Sequence, residues 1–246
     1  MKWFLHGKGL GLGNFINCTP FLQALSDKWG EKINVYFDGG ITKECYYDAP
    51  FLNILKVRPL HAPFAHTRLY IMQKERGYLM SDCEYFSTVI SNHFGVDGTK
   101  YHTYIDNPQI KAIGYKDYYC VVNGAGAWKK DYLDKKIIPD KEYKAIANFL
   151  QKDALCLGSE HCRKPLEFGI DVRHWSIRAQ LSVLARCDFL VTNEGGLAHA
   201  AGCYKIPTFI MWKDTDRIKN KNPNPNCFYS YENHFENFKE FYKLYC

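Results

Sequence analysis

Residues 188–212 constrain this chain more than any other stretch. The apolar run from Phe189 to Thr192 predicts a buried strand, and Asn193-Glu-Gly-Gly196 a sharp turn. A short helix of small residues follows, then a break at Gly202 and Pro207, then a second buried strand within Ile206–Trp212. The helix begins directly after a glutamate and two glycines. Its first N–H groups have no intrahelical acceptor, and no Cβ stands in front of them. Such a helix start favours an anion. The plain alternative is an ordinary strand-to-helix turn. The rest of the chain decides between them.

The same grammar recurs along the sequence. Residues 2–6 read as a first strand, followed by the glycine loop Gly7-Lys-Gly-Leu-Gly-Leu-Gly13. Asn14 is expected to cap a helix carrying Phe15, Cys18, Phe21, Leu22 and Leu25 at helical spacing. The loop is not a dinucleotide fingerprint, because the glycine required at position 14 is an asparagine, and it lacks the Gly-Lys-Ser/Thr of a Walker loop. Ile33–Phe37 and Ile54–Val57 read as strands, 59–80 as a loop with an irregular ligand-facing element, and Ser81-Asp-Cys-Glu84 as a capping box opening a helix that stops at Gly95.

Residues 106–116 have the turn-rich polar character of a link. The alternation then restarts with a strand at Tyr118–Val122 and the loop Asn123-Gly-Ala-Gly-Ala127. Pro139 introduces a helix with Tyr143, Ile146, Ala147 and Leu150 inward, and Ala154–Leu157 is a strand. Ser176 caps a helix reaching Cys187. Residues 213–227 read as a surface loop, and Tyr231–Tyr245 as an amphipathic helix with Phe235, Phe238, Tyr242 and Tyr245 on one stripe. Strands alternating with helices imply parallel sheets. Two restarts imply an α/β chain of two Rossmann-like domains, residues 1–112 and 113–246, facing across a cleft that ligands enter at the carboxyl ends of the strands.

Composition narrows the function classes. No apolar run approaches the ~20 residues of a membrane span. The N-terminus reaches glycines before a signal-peptide core forms, so a cytoplasmic location is expected. The ten cysteines include no C-x-x-C pair, so no structural metal is expected, and Cys120, Cys156 and Cys187 read as reduced core residues. A formal charge of +6 points to a partner carrying phosphate, a nucleotide or a nucleic acid.

Four segments, in order, resemble the bacterial heptosyltransferase-type glycosyltransferases of family nine, which have the GT-B fold. Gly11-Leu-Gly-Asn-Phe-Ile-Asn-Cys-Thr-Pro-Phe-Leu-Gln-Ala-Leu25 is similar to the family's Gly-x-Gly-Asp-x-Ile-x-x-Thr-Pro-x-Leu-x-Ala-Leu opening. Val122-Asn-Gly-Ala-Gly-Ala-Trp-Lys-Lys130 resembles the start of its second domain, and Leu157-Gly-Ser-Glu160 its Leu-Gly-Gly-x-x-Glu strand end. Thr192-Asn-Glu-Gly-Gly-Leu-Ala-His-Ala-Ala-Gly202 through Pro207-Thr resembles its Asn-Asp-Ser-Gly-x-x-His-x-Ala-Ala-x-Gly-x-Pro-Thr signature. Residues 39–80 match poorly.

The resemblance implies sugar transfer from a nucleotide-diphosphate donor to an acceptor hydroxyl on a glycan or glycolipid, with inversion and without a metal. The nucleotide sugar is then a co-substrate, and no cofactor is expected. The departing diphosphate meets the amides of Gly195, Gly196 and Leu197, with Lys129 or Lys130 adding positive charge. Gly11, Gly13, Gly124 and Gly126 admit close backbone approach, Asn193 sits in the turn, and Glu194 suits a ribose or sugar hydroxyl. His199 follows one helical turn after Gly195, as a ligand contact or as a buried histidine holding the turn.

One departure bears on catalysis. Where the family carries aspartate, this chain has Asn14, and an amide accepts no proton near neutral pH. Asn14 then serves as cap and acceptor ligand, and Asp38, His61 and His66 are the candidate bases. Two further readings stay open. One is a sugar transferase acting on modified nucleic acid bases, suggested by the basic charge and the lysines and aromatics interleaved over 211–231. The other is a non-catalytic nucleotide- or glycan-binding module, suggested by Asn14. Peripheral membrane contact is compatible with all three.

Overall fold

The computed structural model describes residues 3–6, 11–37, 41–57, 91–92, 94–110, 115, 117–124, 137–159, 166–212 and 226–246. The chain forms two compact units, the first running to Asp106 and the second beginning at Asn107.

In the first unit β1 (Trp3–His6), β2 (Ile33–Phe37) and β3 (Leu52–Ile54) form a parallel sheet in that order. The third strand ends at Ile54 rather than spanning Ile54–Val57, and Val57 is exposed. Helix α1 runs Leu12–Trp29 and buries Phe15, Ile16, Cys18, Phe21, Leu22 and Leu25 completely. It closes on Gly30 at φ 64°, a left-handed stop that glycine adopts without strain.

Asn14 is not the cap of α1. The cap position is Gly11, in an extended conformation, and Leu12 and Gly13 are already helical, so Asn14 is the third helical residue. The glycines permit the helix to start one turn early.

Pro20 lies inside α1 and has no N–H for the carbonyl of Ile16. The hydroxyl of Thr19 donates to that carbonyl at 2.7 Å and accepts the backbone N–H of Tyr104, also at 2.7 Å. The Thr-Pro pair of the opening motif thus has a structural role here. Further along, the ammonium of Lys28 donates to the carbonyls of Phe94 and Gly95 at 2.9 and 3.0 Å. Ser91, Asn92 and Phe94 are helical and Gly95 stands at φ 62°, so Lys28 places a cation on a helix C-terminus. The capping box at 81–84 lies outside the described residues.

The second unit holds a six-stranded sheet of β4 (Tyr119–Val122), β5 (Ala154–Cys156), β6 (Ile170–Asp171), β7 (Leu190–Asn193), β8 (Thr208–Met211) and β9 (Cys227–Ser230). Its order is β6-β5-β4-β7-β8-β9, every neighbour parallel. β4, β5, β7 and β8 are buried at every residue, as a parallel sheet covered on both faces requires.

On one face Tyr119, Val121, Val191, Phe209 and Met211 pack with Tyr143 and Ile146 of α2 (Asp140–Leu150) and with Phe238 and Phe241 of α5 (His234–Tyr245). Each phenylalanine contributes about 1.5–3 kcal/mol by its burial. Elsewhere in the sheet Ala198 of α4 (Gly196–Cys203) meets Ile210 and Trp212. Between β6 and β7 runs α3 (Ile177–Leu184), capped by Ser176, whose hydroxyl accepts the N–H of Ala179 at 3.3 Å. That helix stops at Leu184, short of Cys187.

Two strands depart from the sequence reading. β9 occupies Cys227–Ser230, so the surface loop expected over 213–227 does not extend through Cys227, and α5 begins at His234 rather than Tyr231. β6 is only two residues long and follows Gly169. A Cβ on Gly169 would meet the sulfur of Cys156 at 2.2 Å, so only glycine brings the edge strand this close to β5. Cys120, Cys156 and Cys187 are buried free thiols, as expected, and burial pushes the Cys156 thiol to about 11.

Candidate functional site

Counted from its own first strand, the second sheet has the order 3-2-1-4-5-6. This is the doubly wound order whose direction reverses between its first and fourth strands, here β4 and β7, and ligands of such sheets bind outside the carboxyl ends at the reversal. The loops leaving those ends are Asn123-Gly124 and Asn193-Glu194-Gly195. They are joined directly: the N–H of Gly124 donates to Oδ1 of Asn193 at 3.3 Å. Asn193 is buried, so its carboxamide works as an internal strut.

The β7–α4 turn has the predicted helix start. Gly195 is the cap residue in an extended conformation, and its carbonyl accepts the N–H of Ala198 at 3.1 Å. The N–H groups of Gly195, Gly196 and Leu197 have no acceptor among the described residues. These three residues are half-buried, no side chain caps the helix, and no acidic residue lies in its first turn. A Cβ at Gly195 would meet nothing within 4 Å, so the approach is open. The turn therefore presents a concentrated positive pole suited to an anion. Glu194 and His199 are both half-buried on the same turn and helix.

Two supporting residues were not singled out from sequence. Asn123 donates from Nδ2 to the Ile138 carbonyl at 3.2 Å and to Oδ1 of Asp140 at 3.0 Å, tying the β4 loop to the start of α2. Its own Oδ1 is buried with no hydrogen bond. Gln180 of α3 accepts the N–H of Gly158 at 2.8 Å and donates to the carbonyls of Arg173 and Trp175 at 3.2 and 3.0 Å. It fixes the carboxyl end of β5, where Gly158 stands at φ 125°. The available signal was a glutamine at a buried position of an apolar helix. Nearby, Arg173 grips Asp171 with Nε on Oδ1 at 2.8 Å and Nη2 on Oδ2 at 2.9 Å, which holds the Asp171 carboxyl below its ordinary value.

The structure thus brings Gly124, Asn193, Glu194, Gly195, Gly196, Leu197 and His199 to the carboxyl edge of one sheet. Gly11, Gly13 and Asn14 lie in the first unit at the start of α1, on the carboxyl side of β1. Asp38, His61, His66, Gly126, Lys129 and Lys130 lie outside the described residues. Among the described residues no group of three or more His, Cys, Asp or Glu could hold a metal, and no helix is long and apolar enough to cross a membrane.

Neither a protein-family model nor a curated protein matches this sequence. Solved structures do match. A glycosyl transferase family 9 protein from Veillonella parvula DSM 2008 aligns over 97% of this chain and 91% of its own, at 14% identity and a TM-score of 0.66. E. coli ADP-heptose lps heptosyltransferase II aligns over 99% of both chains at 10% identity, TM-score 0.63. E. coli heptosyltransferase WaaC with ADP-2-deoxy-2-fluoro heptose aligns over 100% of both at 12% identity, TM-score 0.62. What the chain shares with them, end to end, is the two-unit parallel α/β fold of the family-nine glycosyltransferases.

Proposed function

We propose that this protein is a glycosyltransferase that moves a sugar from a nucleotide-diphosphate donor to an acceptor hydroxyl on a glycan or glycolipid, with inversion and without a metal. One observation carries the reading. The strand reversal between β4 and β7 coincides with the amides of Gly195, Gly196 and Leu197, which have no acceptor among the described residues. The likeness to heptosyltransferase structures, one solved with an ADP-heptose analogue, supports an ADP-linked sugar among the candidate donors.

In this reading the three amides stabilise the negative charge that appears on the leaving diphosphate, an electrostatic contribution already in place before reaction. Gly124, tied to Asn193, lets the nucleotide approach β4, and Glu194 accepts a ribose or sugar hydroxyl. Gly126, Lys129 and Lys130 keep the phosphate-side roles proposed from sequence. Asn14 is not the base, and Asp38, His61 and His66 remain the proposed bases. The protein acts in the cytoplasm with the nucleotide sugar as co-substrate and no cofactor.

Thermal unfolding with ADP, UDP and GDP tests the reading. A ligand at a hundredfold excess over Kd stabilises the native state by about 2.7 kcal/mol, which raises Tm by roughly 5–10 °C for a chain of this size. Turnover with the matching sugar donors must accompany the shift. A folded protein whose Tm no nucleoside diphosphate moves would falsify the proposal.

A further inference from the structure

Asn123-Gly124 is the one Asn-Gly pair in the sequence. Such a pair carries a reaction of its own. The backbone nitrogen of a glycine, with no Cβ beside it, can reach Cγ of the asparagine before it. Three things govern that step. The glycine N–H must be free, the departing amide nitrogen needs a proton, and the oxygen on which charge collects needs a donor.

The fold withholds all three. The N–H of Gly124 is committed to Oδ1 of Asn193 at 3.3 Å. Nδ2 of Asn123 donates to the Ile138 carbonyl at 3.2 Å and to Oδ1 of Asp140 at 3.0 Å. A carbonyl and a carboxylate are acceptors, so neither offers the proton that leaving ammonia requires. Oδ1 of Asn123 is buried with no hydrogen bond, so no donor steadies charge developing there. These partners lie 15, 17 and 69 positions from the pair. Opening of the turn therefore releases the pair to its own chemistry.

We propose that Asn123 is a self-modification site, kept dormant by Asn193, Ile138 and Asp140 and activated when the loop after β4 opens. On opening, the Gly124 nitrogen loses its proton to solvent and attacks Cγ of Asn123. The N–Cγ bond forms, the Cγ–Nδ2 bond breaks, and Nδ2 leaves as ammonia with a proton from water. Water then opens the ring at either carbonyl, giving aspartate or isoaspartate. One water is consumed and one ammonia released, and nothing is oxidised or reduced. The change is one-way. The new carboxylate cannot donate to Ile138, and it faces the like charge of Asp140. The β4 loop thus loses its tie to the start of α2, and the modified residue keeps a record that the turn has opened. This chemistry is independent of the glycosyl-transfer reading.

The test is ageing of the folded protein in mildly alkaline buffer, followed by tryptic digestion and mass spectrometry. The fragment between Lys116 and Lys129 holds Asn123 and no other asparagine or glutamine, so the mass gain of an amide turned acid is assigned without ambiguity. Folded protein is expected to react at least about fivefold more slowly than protein unfolded in urea, and Asn193→Leu about fivefold faster than the native chain, the factor one hydrogen bond supplies. Asn193→Asp, which keeps the acceptor for Gly124, is expected to stay slow. Aspartate and isoaspartate should appear together, since ring opening yields both. Aspartate alone, equal rates folded and unfolded, or Asn193→Asp as fast as Asn193→Leu overturns the proposal. So does Gln180→Leu reacting as fast as Asn193→Leu, because that variant weakens the fold while leaving the Gly124 bond in place.

Discussion

Two strand-to-helix turns of this chain, β1–α1 and β7–α4, begin alike and finish differently. Both α1 and α4 start on an extended glycine, Gly11 and Gly195, with no side-chain cap and no acid in the first turn. At β7–α4 the buried asparagine is tied in, with Oδ1 of Asn193 accepting the Gly124 N–H. At β1–α1 the buried asparagine is left untied, with Asn17 unsatisfied at both ends. A buried polar group that is satisfied rigidifies its surroundings, and one that is not stores a deficit a ligand can remove. The carboxamide at the β7–α4 turn is satisfied by the neighbouring loop; the one on α1 is not.

The largest test of this contrast lies on the tied side. Gln180→Leu leaves the Gly158 N–H and the carbonyls of Arg173 and Trp175 without their partner. A loss of about 3 kcal/mol is expected, measured by chemical denaturation, and a loss under 0.5 kcal/mol would mean that the carboxyl edge is not held by this side chain. Asn193→Leu removes the acceptor of the Gly124 N–H and should cost about 1–3 kcal/mol, whereas Asn17→Leu removes two unsatisfied groups and should be neutral or stabilising. If the two substitutions change stability in the same direction, the contrast collapses.

Thr19→Val sharpens it within α1. It deletes the hydroxyl serving the Ile16 carbonyl and the Tyr104 N–H, with an expected loss of about 1–2 kcal/mol. A neutral result would show that water replaces it. The smallest effect is a pH dependence confined to the second unit. Burial, opposed by nearby Glu142, holds the His234 imidazole below its ordinary value. Its depressed value means that the unfolded chain binds the proton more tightly. Its contribution is therefore complete above about pH 6.5, the unfolded value, and is lost as pH falls from there through the folded one. His234→Gln should flatten Tm against pH in that window, and an unchanged slope would assign the dependence to other groups.

Much of the fold was legible because the signals were local. Largely apolar runs marked β4, β7 and β8 to within a residue or two, since a strand buried on both faces leaves no room for polar alternation. Ser176 announced its helix because its hydroxyl satisfies an amide three residues on. β6 and β9 were illegible because each is defined by its neighbour: two residues at Ile170 pair only because Gly169 lets them approach Cys156, and Cys227 pairs only because Thr208 lies beside it. The cap of α1 was misplaced because asparagine is a strong local cap signal, yet the helix extends three residues further, to Gly11, without any side-chain cap.

The sequence by itself determined the alternation of strand and helix, the glycine start of α4, and the absence of an aspartate at position 14, since each depends on side-chain chemistry within a few residues. Only the tertiary structure decided which strands sit side by side, and hence that Gly124 meets Asn193 across 69 positions while buried Asn17 finds no hydrogen-bond partner. Hydrogen-bond satisfaction is a property of neighbours in space, and periodicity along a chain carries no record of it.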